Sequence, residues 1–281
     1  MDKIKIISDS TCDLTHELVI KYDIEIIPLY VNFGEESFLD GETLTVSEMY
    51  DKIKQCGYLP KTAAVAPGTF ATRFKHYLDQ GYKIIYTGIG SKFSATLQSA
   101  NLAKQLLKST DIHLIDSGNL SSGTGLLVLK ACQYRDQGDD VITITQKIKE
   151  LIPKVRTQFV INTMDYLYKG GRCNSLVAFV GTLLKIKPII KVINGEMAVG
   201  KKGHGKITSG LDILINEVQG LKDQLDEDFL MVTHSMADES VDYIKARIKN
   251  LPIKNQYTTS AGCVISSHCG QGCIGILYIL K

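Results

Sequence analysis

The amino-acid sequence predicts an α/β protein of two domains. The first would hold a mostly parallel sheet flanked by helices, and the second a mixed sheet with helices. A chain of 281 residues exceeds the usual size of a single core. Strand and helix signals alternate through the first half, which is typical of a parallel sheet covered on both faces. Because a hairpin and adjacent strands follow in the second half, we place the domains at residues 1–155 and 156–281.

The first half begins with an apolar strand at residues 3–7 that ends in a polar turn. A short helix then leads to a strand predicted at 24–31. The later predicted elements are a hairpin at 33–41, a helix from the capping box Thr45–Glu48 to Gly57, a loop at 59–68, a helix beginning at Pro67, a strand at 83–88, a helix at 94–108, a strand at 112–116, and helices at 123–137 and 141–155.

The second half opens with a strand at residues 156–163 and a short helix that Gly170 and Gly171 would stop. The remaining predicted elements are an apolar helix at 174–184, a hairpin at 186–199 turning at Asn194 and Gly195, a helix near 207–220, a strand at 228–234, a helix ending near Asn250, and two final strands joined by a turn at 266–272.

The composition disfavours several classes of protein. A net charge of +2 and few aromatic residues argue against a nucleic-acid-binding surface. Seven scattered cysteines, an odd number, indicate reduced thiols and a cytoplasmic location. The N-terminal residues lack the apolar run of a signal peptide, and no apolar stretch approaches the ~18 residues of a membrane-spanning helix. We therefore expect no stable membrane insertion.

Three polar loops follow predicted strands, at residues 9–11, 61–64 and 88–96. The carboxyl ends of strands are the usual ligand side of an open α/β sheet. In the third loop, Ser94 lies where a helix must begin, and helix N-termini favour anions. A simple capping role for Ser94 is the alternative.

Known catalytic and metal-binding motifs do not account for the polar residues. The sequence contains no ATP-binding P-loop and no nucleophile elbow. The GxGxxG at 270–275 precedes a strand rather than a helix, so it is no dinucleotide fingerprint. Cys263, His268, Cys269 and Cys273 lack zinc-finger spacing, and we predict no metal site. His268 could equally be structural, and Arg172 could be a plain helix-end cation.

Eight segments taken together resemble the DegV family of bacterial lipid-binding proteins. They run in the family's order through nearly the whole chain, and together they are far more specific than any one of them. The segments are SDSTCDL, IPLYVNFGEESFLDGETL, KTAAVAPGTF, IGSKFSATLQSA, IDSGNLSSGTG, MDYLYKGGR, GTLLKIKPII and SSHCGQGCIGI.

The resemblance implies that one long-chain fatty acid lies between the two domains, with its carboxylate at their junction and its tail in an apolar tunnel. No cofactor and no catalytic residue are implied. Such a protein would be the lipid-binding subunit of a fatty acid kinase, whose separate catalytic subunit phosphorylates the bound carboxylate. The binding protein would then carry the acyl phosphate toward phospholipid synthesis.

The resemblance also names the ligand-binding residues. Thr62 matches the family's carboxylate-binding threonine, Ser94 its loop serine, His268 its histidine near the C-terminus, and Arg172 the arginine of its GGR segment. We add Ser91, in the same glycine loop as Ser94. Hydroxyls and an imidazole are suitable donors to a carboxylate taken out of water.

The chain departs from the family's pattern at three positions. Ala63 and Ala95 stand where the family often has serine and glycine, and Gly90 replaces a frequent serine. These changes would remove a hydroxyl from the head-group network and reshape the tunnel. The apolar helix predicted at 174–184 is a candidate tunnel wall, although core packing is the ordinary role of such residues.

Two other functions remain open from the residues alone. One is an acyl-ester hydrolase using Ser94, His268 and either Asp9 or Asp116. The other is a regulatory module that binds a phosphate-bearing ligand at the glycine loop.

Overall fold

A computed structural model describes residues 2–172 and 186–281 of the chain. The strands of these residues are β1 (Ile4–Asp9), β2 (Ile24–Ile27), β3 (Tyr30–Phe33), β4 (Glu36–Leu39), β5 (Lys61–Ala63), β6 (Lys83–Gly88), β7 (Ile112–Asp116), β8 (Val155–Val160), β9 (Ile186–Ile193), β10 (Glu196–His204), β11 (Leu225–His234), β12 (Asn255–Ser260) and β13 (Ile274–Leu280). The helices are α1 (His16–Lys21), α2 (Val46–Cys56), α3 (Pro67–Leu78), α4 (Thr96–Leu107), α5 (Ser122–Asp136), α6 (Val141–Leu151), α7 (Asp165–Lys169), α8 (Ile207–Gly220), α9 (Asp238–Ile248) and α10 (Cys263–Cys269).

The first large sheet is wholly parallel, as the sequence predicted, with the strand order β2-β1-β6-β7. Strand β1 is followed in sequence by β2, its neighbour on one side, whereas β6 is followed by β7, its neighbour on the other side. The carboxyl ends of β1 and β6 therefore form a topological switch point, where open α/β sheets bind their ligands. Asp9 ends β1 at this point, and its carboxylate accepts a hydrogen bond from Ile89 N, just after β6, at 3.0 Å.

A small antiparallel sheet of order β4-β3-β5 stands beside the parallel one. The single strand predicted at 24–31 is wrong, because the chain leaves the parallel sheet after β2 and starts β3 in the small sheet. Pro28 lies between them and has no N–H for a continuous ladder. The loop predicted at 59–68 contains β5, whose Thr62 pairs with Val31.

The second large sheet is mixed, as predicted, with the order β10-β9-β8-β13-β11-β12. Only β11 and β12 run parallel, while the other neighbours are antiparallel. The predicted hairpin turn is confirmed, because Asn194 and Gly195 both have positive φ angles, 52° and 77°, between β9 and β10. The last strand of the parallel sheet ends at Asp116 and β8 begins at Val155, but the boundary at 155/156 itself stays a prediction.

Helix α5 lies between the two large sheets. It contacts β1 and β6 of the first sheet and β8, β11 and β13 of the second. All of its residues from Ser122 to Cys132 are buried, so no side of this part faces solvent. Lys130 is the charged member, and its ammonium lies 2.6 Å from both Asp226 and Asp228. A helix without a polar face is suited to such a position between layers.

Local signals fixed several helix ends. The capping box of Thr45 and Glu48 opens α2, and Pro67 begins α3, both as predicted. Helix α6 ends at Leu151, whereas the predicted end was residue 155. Pro153 follows the helix, and β8 already begins at Val155. The turn predicted at 266–272 is wrong for residues 266–269, because these residues belong to α10. The helix predicted at 174–184 lies outside the described residues.

The buried position of α5 makes a stability prediction. Leu127 is fully buried in the cluster shared by both sheets, so Leu127→Ala should lower the free energy of unfolding by about 2–5 kcal/mol. Urea denaturation measures this, with Leu106→Ala as the control because Leu106 is 69% exposed on α4. Equal midpoints for the two variants would contradict the placement of α5.

Candidate ligand-binding site

A hydrogen bond between Thr62 and His268 joins the small sheet to the second half of the chain. Thr62 Oγ1 on β5 lies 3.0 Å from Nε2 of His268, in the last turn of α10. The two residues are 206 positions apart in sequence. The fold therefore assembles this pair from distant elements.

His268 is held in its neutral form. Burial lowers the pKa of its imidazole to about 4, and the nearby charge of Arg172 contributes to the shift. Its Nδ1 atom has no hydrogen-bond partner among the described residues. We assign the proton to Nε2, which then donates to Thr62 Oγ1 and leaves the threonine hydroxyl hydrogen free for another acceptor.

Gly170 makes room for this imidazole. A Cβ atom at position 170 would lie 2.2 Å from His268 Nδ1, so no larger residue fits without a shift. The glycine of the GGR segment thus lets the C-terminal end of α7 pack directly against His268.

The Thr62–His268 pair lies in the wall of a first cavity, the front cavity, with about 50 Å³ of space for the centres of water-sized molecules. Arg172 is the charged residue among the described side chains that line it. Its guanidinium is half-buried, burial lowers its pKa, and Nη1 donates to Gly170 O at 2.8 Å. The described lining consists of Leu29, Thr62, Ala63, Ala64, Ile89, Phe93, Ser94, Leu120, Arg172, Met197, Val264, Ile265 and His268.

A second cavity, the rear cavity, adjoins the first and has about 60 Å³ of space for the centres of water-sized molecules. Leu120, Met197, Ile265 and His268 line both, so the two meet at the imidazole. The other described residues of the rear cavity are Ser121, Thr157, Phe159, Leu167, Thr233, His234, Ser235, Ala261, Cys269, Cys273, Gly275 and Leu277.

The structure brings four of the five predicted site residues together: Thr62, Ser94, Arg172 and His268 all line the front cavity. The Ser94 hydroxyl lies 2.8 Å from Thr96 Oγ1 and accepts from Thr96 N at 3.3 Å. Helix α4 begins at Thr96, so Ser94 precedes it by two residues.

Ser91 lies elsewhere. It is exposed and lines a separate groove, where its hydroxyl donates to Asp116 at 2.5 Å and its backbone N–H to the same carboxylate at 3.1 Å. The structure does not place Ser91 with the other four residues.

The three departures from the family's pattern have different positions. Ala63 lines the front cavity. Ala95 is an exposed residue at the start of α4, outside the described lining. Gly90 has no space for a side chain, because a Cβ atom would lie 2.9 Å from Asn119 N and 3.0 Å from Gly118 C.

Two buried carboxylates hold the N-terminus of α10, a feature that the sequence did not reveal. Asp40 accepts from Cys263 N at 2.6 Å and from Ser10 Oγ at 2.8 Å. Asp13 accepts from Gly262 N at 2.8 Å and from Ser121 Oγ at 2.5 Å. Burial raises the pKa of both aspartates, and the N–H donors oppose the shift. Helix N-termini favour such carboxylates.

The contacts of a catalytic triad are absent among the described residues. Neither Asp9 nor Asp116 bonds to His268, because Asp9 accepts from Thr11, Tyr86 and Ile89, and Asp116 accepts from Ser91 and Gly118. The imidazole bonds to Thr62 rather than to Ser94. A nucleophile, a base and an orienting acid are therefore not linked as hydrolysis by a triad requires.

The glycine loop has little capacity for a phosphate. Five backbone N–H groups of this loop already donate to protein acceptors: Ile89 to Asp9, Gly90 to Asn119 O, Ser91 to Asp116, and Phe93 and Ser94 to Gly90 O. A phosphate-binding loop needs such groups free. In the parts of the chain that the structure describes, no helix is long and apolar enough to cross a membrane, and no cluster of His, Cys, Asp or Glu could hold a metal ion.

Comparison with known proteins gives the family. Residues 3–281 match the model described as "uncharacterised protein, DegV family". A DegV domain-containing protein of Clostridium acetobutylicum is 35% identical over 284 residues, covering 100% of both chains. The chain belongs to the DegV family.

Solved structures of DegV proteins share the fold. A fatty-acid-binding DegV protein of Thermus thermophilus superposes with a TM-score of 0.92 at 25% identity, covering 99% of this chain and 100% of that one. A stearic-acid-binding protein of Eubacterium ventriosum gives a TM-score of 0.87 at 26% identity, with 99% and 98% covered. The two-domain α/β architecture is thus that of DegV proteins.

The capping of α10 makes a second prediction. Asp40→Ala removes the acceptor of two donors, each worth about 1–3 kcal/mol when left unpaired, and should lower the free energy of unfolding by roughly 2–5 kcal/mol. Asp40→Asn keeps one oxygen and should cost less. In urea denaturation, Asp51→Ala is the control, since its exposed ion pair with Lys54 contributes about 0–1 kcal/mol. A loss at Asp40 no larger than the control's would show that the cap is dispensable.

The neutral His268 makes a third prediction. Its pKa is about 4 in the folded protein and roughly 6.5 when unfolded, so it contributes stability that is present above pH 6.5 and lost as the pH falls toward 4. Relative to His268→Gln, the wild-type free energy of unfolding should therefore fall by up to about 3 kcal/mol over that interval. Urea titrations at several pH values measure the difference. Parallel curves for the two proteins would refute the buried neutral imidazole.

Proposed function

We propose that this DegV protein binds one long-chain fatty acid between domains 1–155 and 156–281, with the carboxylate in the front cavity and the tail in the rear cavity. The observation that carries this proposal is the junction of the two cavities at His268. Hydrogen-bond donors and a cation line one side of that junction, and apolar side chains line most of the other. The fatty-acid binding of the Thermus and Eubacterium relatives supports it.

The front cavity offers what a carboxylate taken out of water requires. The Thr62 hydroxyl donates to the carboxylate, because His268 Nε2–H already donates to its oxygen. Ser94 supplies a second hydroxyl, and half-buried Arg172 supplies the positive charge. His268 orients Thr62 and remains uncharged.

The rear cavity presents little polar surface to an acyl tail, because its hydroxyls bond within the protein. Thr233 donates to Ser122 at 2.6 Å, and Ser235 lies 2.7 Å from Tyr50 Oη. Thr157 donates to Asn119 at 2.6 Å. Burial of about fifteen methylenes at ~0.8 kcal/mol each gives on the order of 12 kcal/mol before the costs of association.

The carboxylate end adjoins the surface. Phe93, Arg172 and Met197 line both the front cavity and an open groove with Lys92 and Glu196. We propose that a separate fatty acid kinase catalytic subunit reaches the carboxylate here. This protein, acting in the cytoplasm and without catalytic residues of its own, then carries the acyl phosphate toward phospholipid synthesis. The family resemblance supports this role.

The test is mass spectrometry of the protein purified from bacteria, native and after solvent extraction. We expect one C14–C18 fatty acid per chain. Purified protein that contains no fatty acid and binds neither added palmitate nor added oleate would contradict the proposal. Hydrolysis of an activated ester that Ser94→Ala abolishes would favour the hydrolase, and a co-purified phosphate-bearing metabolite would favour the regulatory module.

A matched substitution tests the head-group contact. Thr62→Val keeps the shape of the side chain but removes its hydroxyl, so the Kd for palmitate should rise about 10- to 100-fold for a lost hydrogen bond to a charged group. Thr72→Val on the exposed face of α3 should leave the Kd unchanged. Fluorescent fatty-acid displacement measures both. Equal Kd values for Thr62→Val and the wild-type protein would show that the Thr62 hydroxyl does not bind the carboxylate.

A further inference from the structure

The inner face of β13 shows where the rear cavity ends. Side chains two positions apart share a face of a strand, so Gly275, Leu277 and Ile279 follow one another on the same side. Gly275 and Leu277 line the rear cavity. Leu277 also belongs to the buried cluster around α5, and Ile279 belongs to that cluster without lining the cavity. Along β13, the cavity therefore gives way to packed core after Leu277.

The neighbouring strand β8 shows the same limit. Phe159 and Thr157 line the rear cavity, whereas Val155 belongs to the cluster around α5. In the antiparallel register, Leu277 pairs with Thr157 and Ile279 pairs with Val155. The cavity thus ends at the same rung of both strands.

The third strand, β11, agrees with this limit. Thr233 pairs with Gly275 and lines the cavity, but Met231, which pairs with Leu277, is fully buried in the cluster around α5. Ile279 and Val155, one rung beyond Leu277, and Met231, beside it on β11, thus belong to the packed core. Leu277 is thus the deepest apolar side chain of these strands that faces the cavity.

The positions of the lining residues along β13 indicate how far each lies from α10, which carries His268. The strand starts near Cys273, a lining residue close to the end of α10 that carries His268. Leu277 follows Cys273 by four positions, or about 13 Å of extended strand. Among the lining residues of β13, Leu277 is therefore the one farthest along the strand from α10.

We propose that Leu277 is the end wall of the rear cavity and sets the longest acyl chain that the protein accepts. This inference rests on the proposed fatty-acid binding. Leu277→Ala removes three side-chain carbons and leaves a dry apolar space that suits roughly two further carbons of a ligand tail. Leu277→Phe fills the same space and shortens the accepted chain.

The experiment offers each protein an equimolar mixture of saturated fatty acids from C12 to C22 and identifies the bound acid by native mass spectrometry. Relative to wild type, the preferred length should rise by about two carbons in Leu277→Ala and fall by a similar amount in Leu277→Phe. Leu277→Val should shift it upward by less, and it serves as the measurement should the alanine variant fail to fold.

Ile279→Ala is the matched control, because it removes buried carbons from the same face of the same strand without touching the cavity lining. It should keep the wild-type length preference. An unchanged preference in the folded Leu277 variants, or an equal shift in Ile279→Ala, overturns the end-wall assignment while fatty-acid binding stands. Wild-type protein that takes up none of the acids contradicts the proposed function and this inference with it.

Discussion

The pair of carboxylates at the start of α10 is the constraint on which the candidate site depends. Asp13 and Asp40 belong to the first half of the chain, yet their oxygens accept the N–H groups of Gly262 and Cys263. A helix of seven residues has little stability of its own and needs such external partners. Because His268 lies at the far end of this helix, the two caps fix the imidazole against Thr62.

Helix α5 has the complementary role of separating the two large sheets. Its buried residues fill the space between them, and Leu120 and Ser121, just before its N-terminus, line the rear cavity. Asp13 bonds to Ser121 as well as to Gly262, so the starts of α5 and α10 share one carboxylate. The Asp13 carboxylate therefore stabilises both the start of the buried helix α5 and the start of α10, which carries His268.

The sequence predicted those elements whose signals are local. The capping box before α2, Pro67 and the Asn194–Gly195 turn act within a few residues of themselves, and the structure confirms them. Helix α10 was missed because its capping groups lie over 200 residues away, and β5 because three residues carry no periodicity. The resemblance selected Thr62, Arg172 and His268, and it agreed with the helix-start pattern that had already indicated Ser94. Ser91 was added from the same loop, and the structure places it in another groove.

The position of β13 has a consequence for how the chain folds. This strand follows β8 and β11 in sequence, yet it lies between them in the sheet. Until it inserts, β8–β10 and β11–β12 are separate pieces with unpaired edges, and such non-local pairing is slow. The strand also brings Gly275 and Leu277, so the rear cavity exists only after this step. A growing chain would thus acquire the rear cavity late, because β13 is the last of the described strands in sequence.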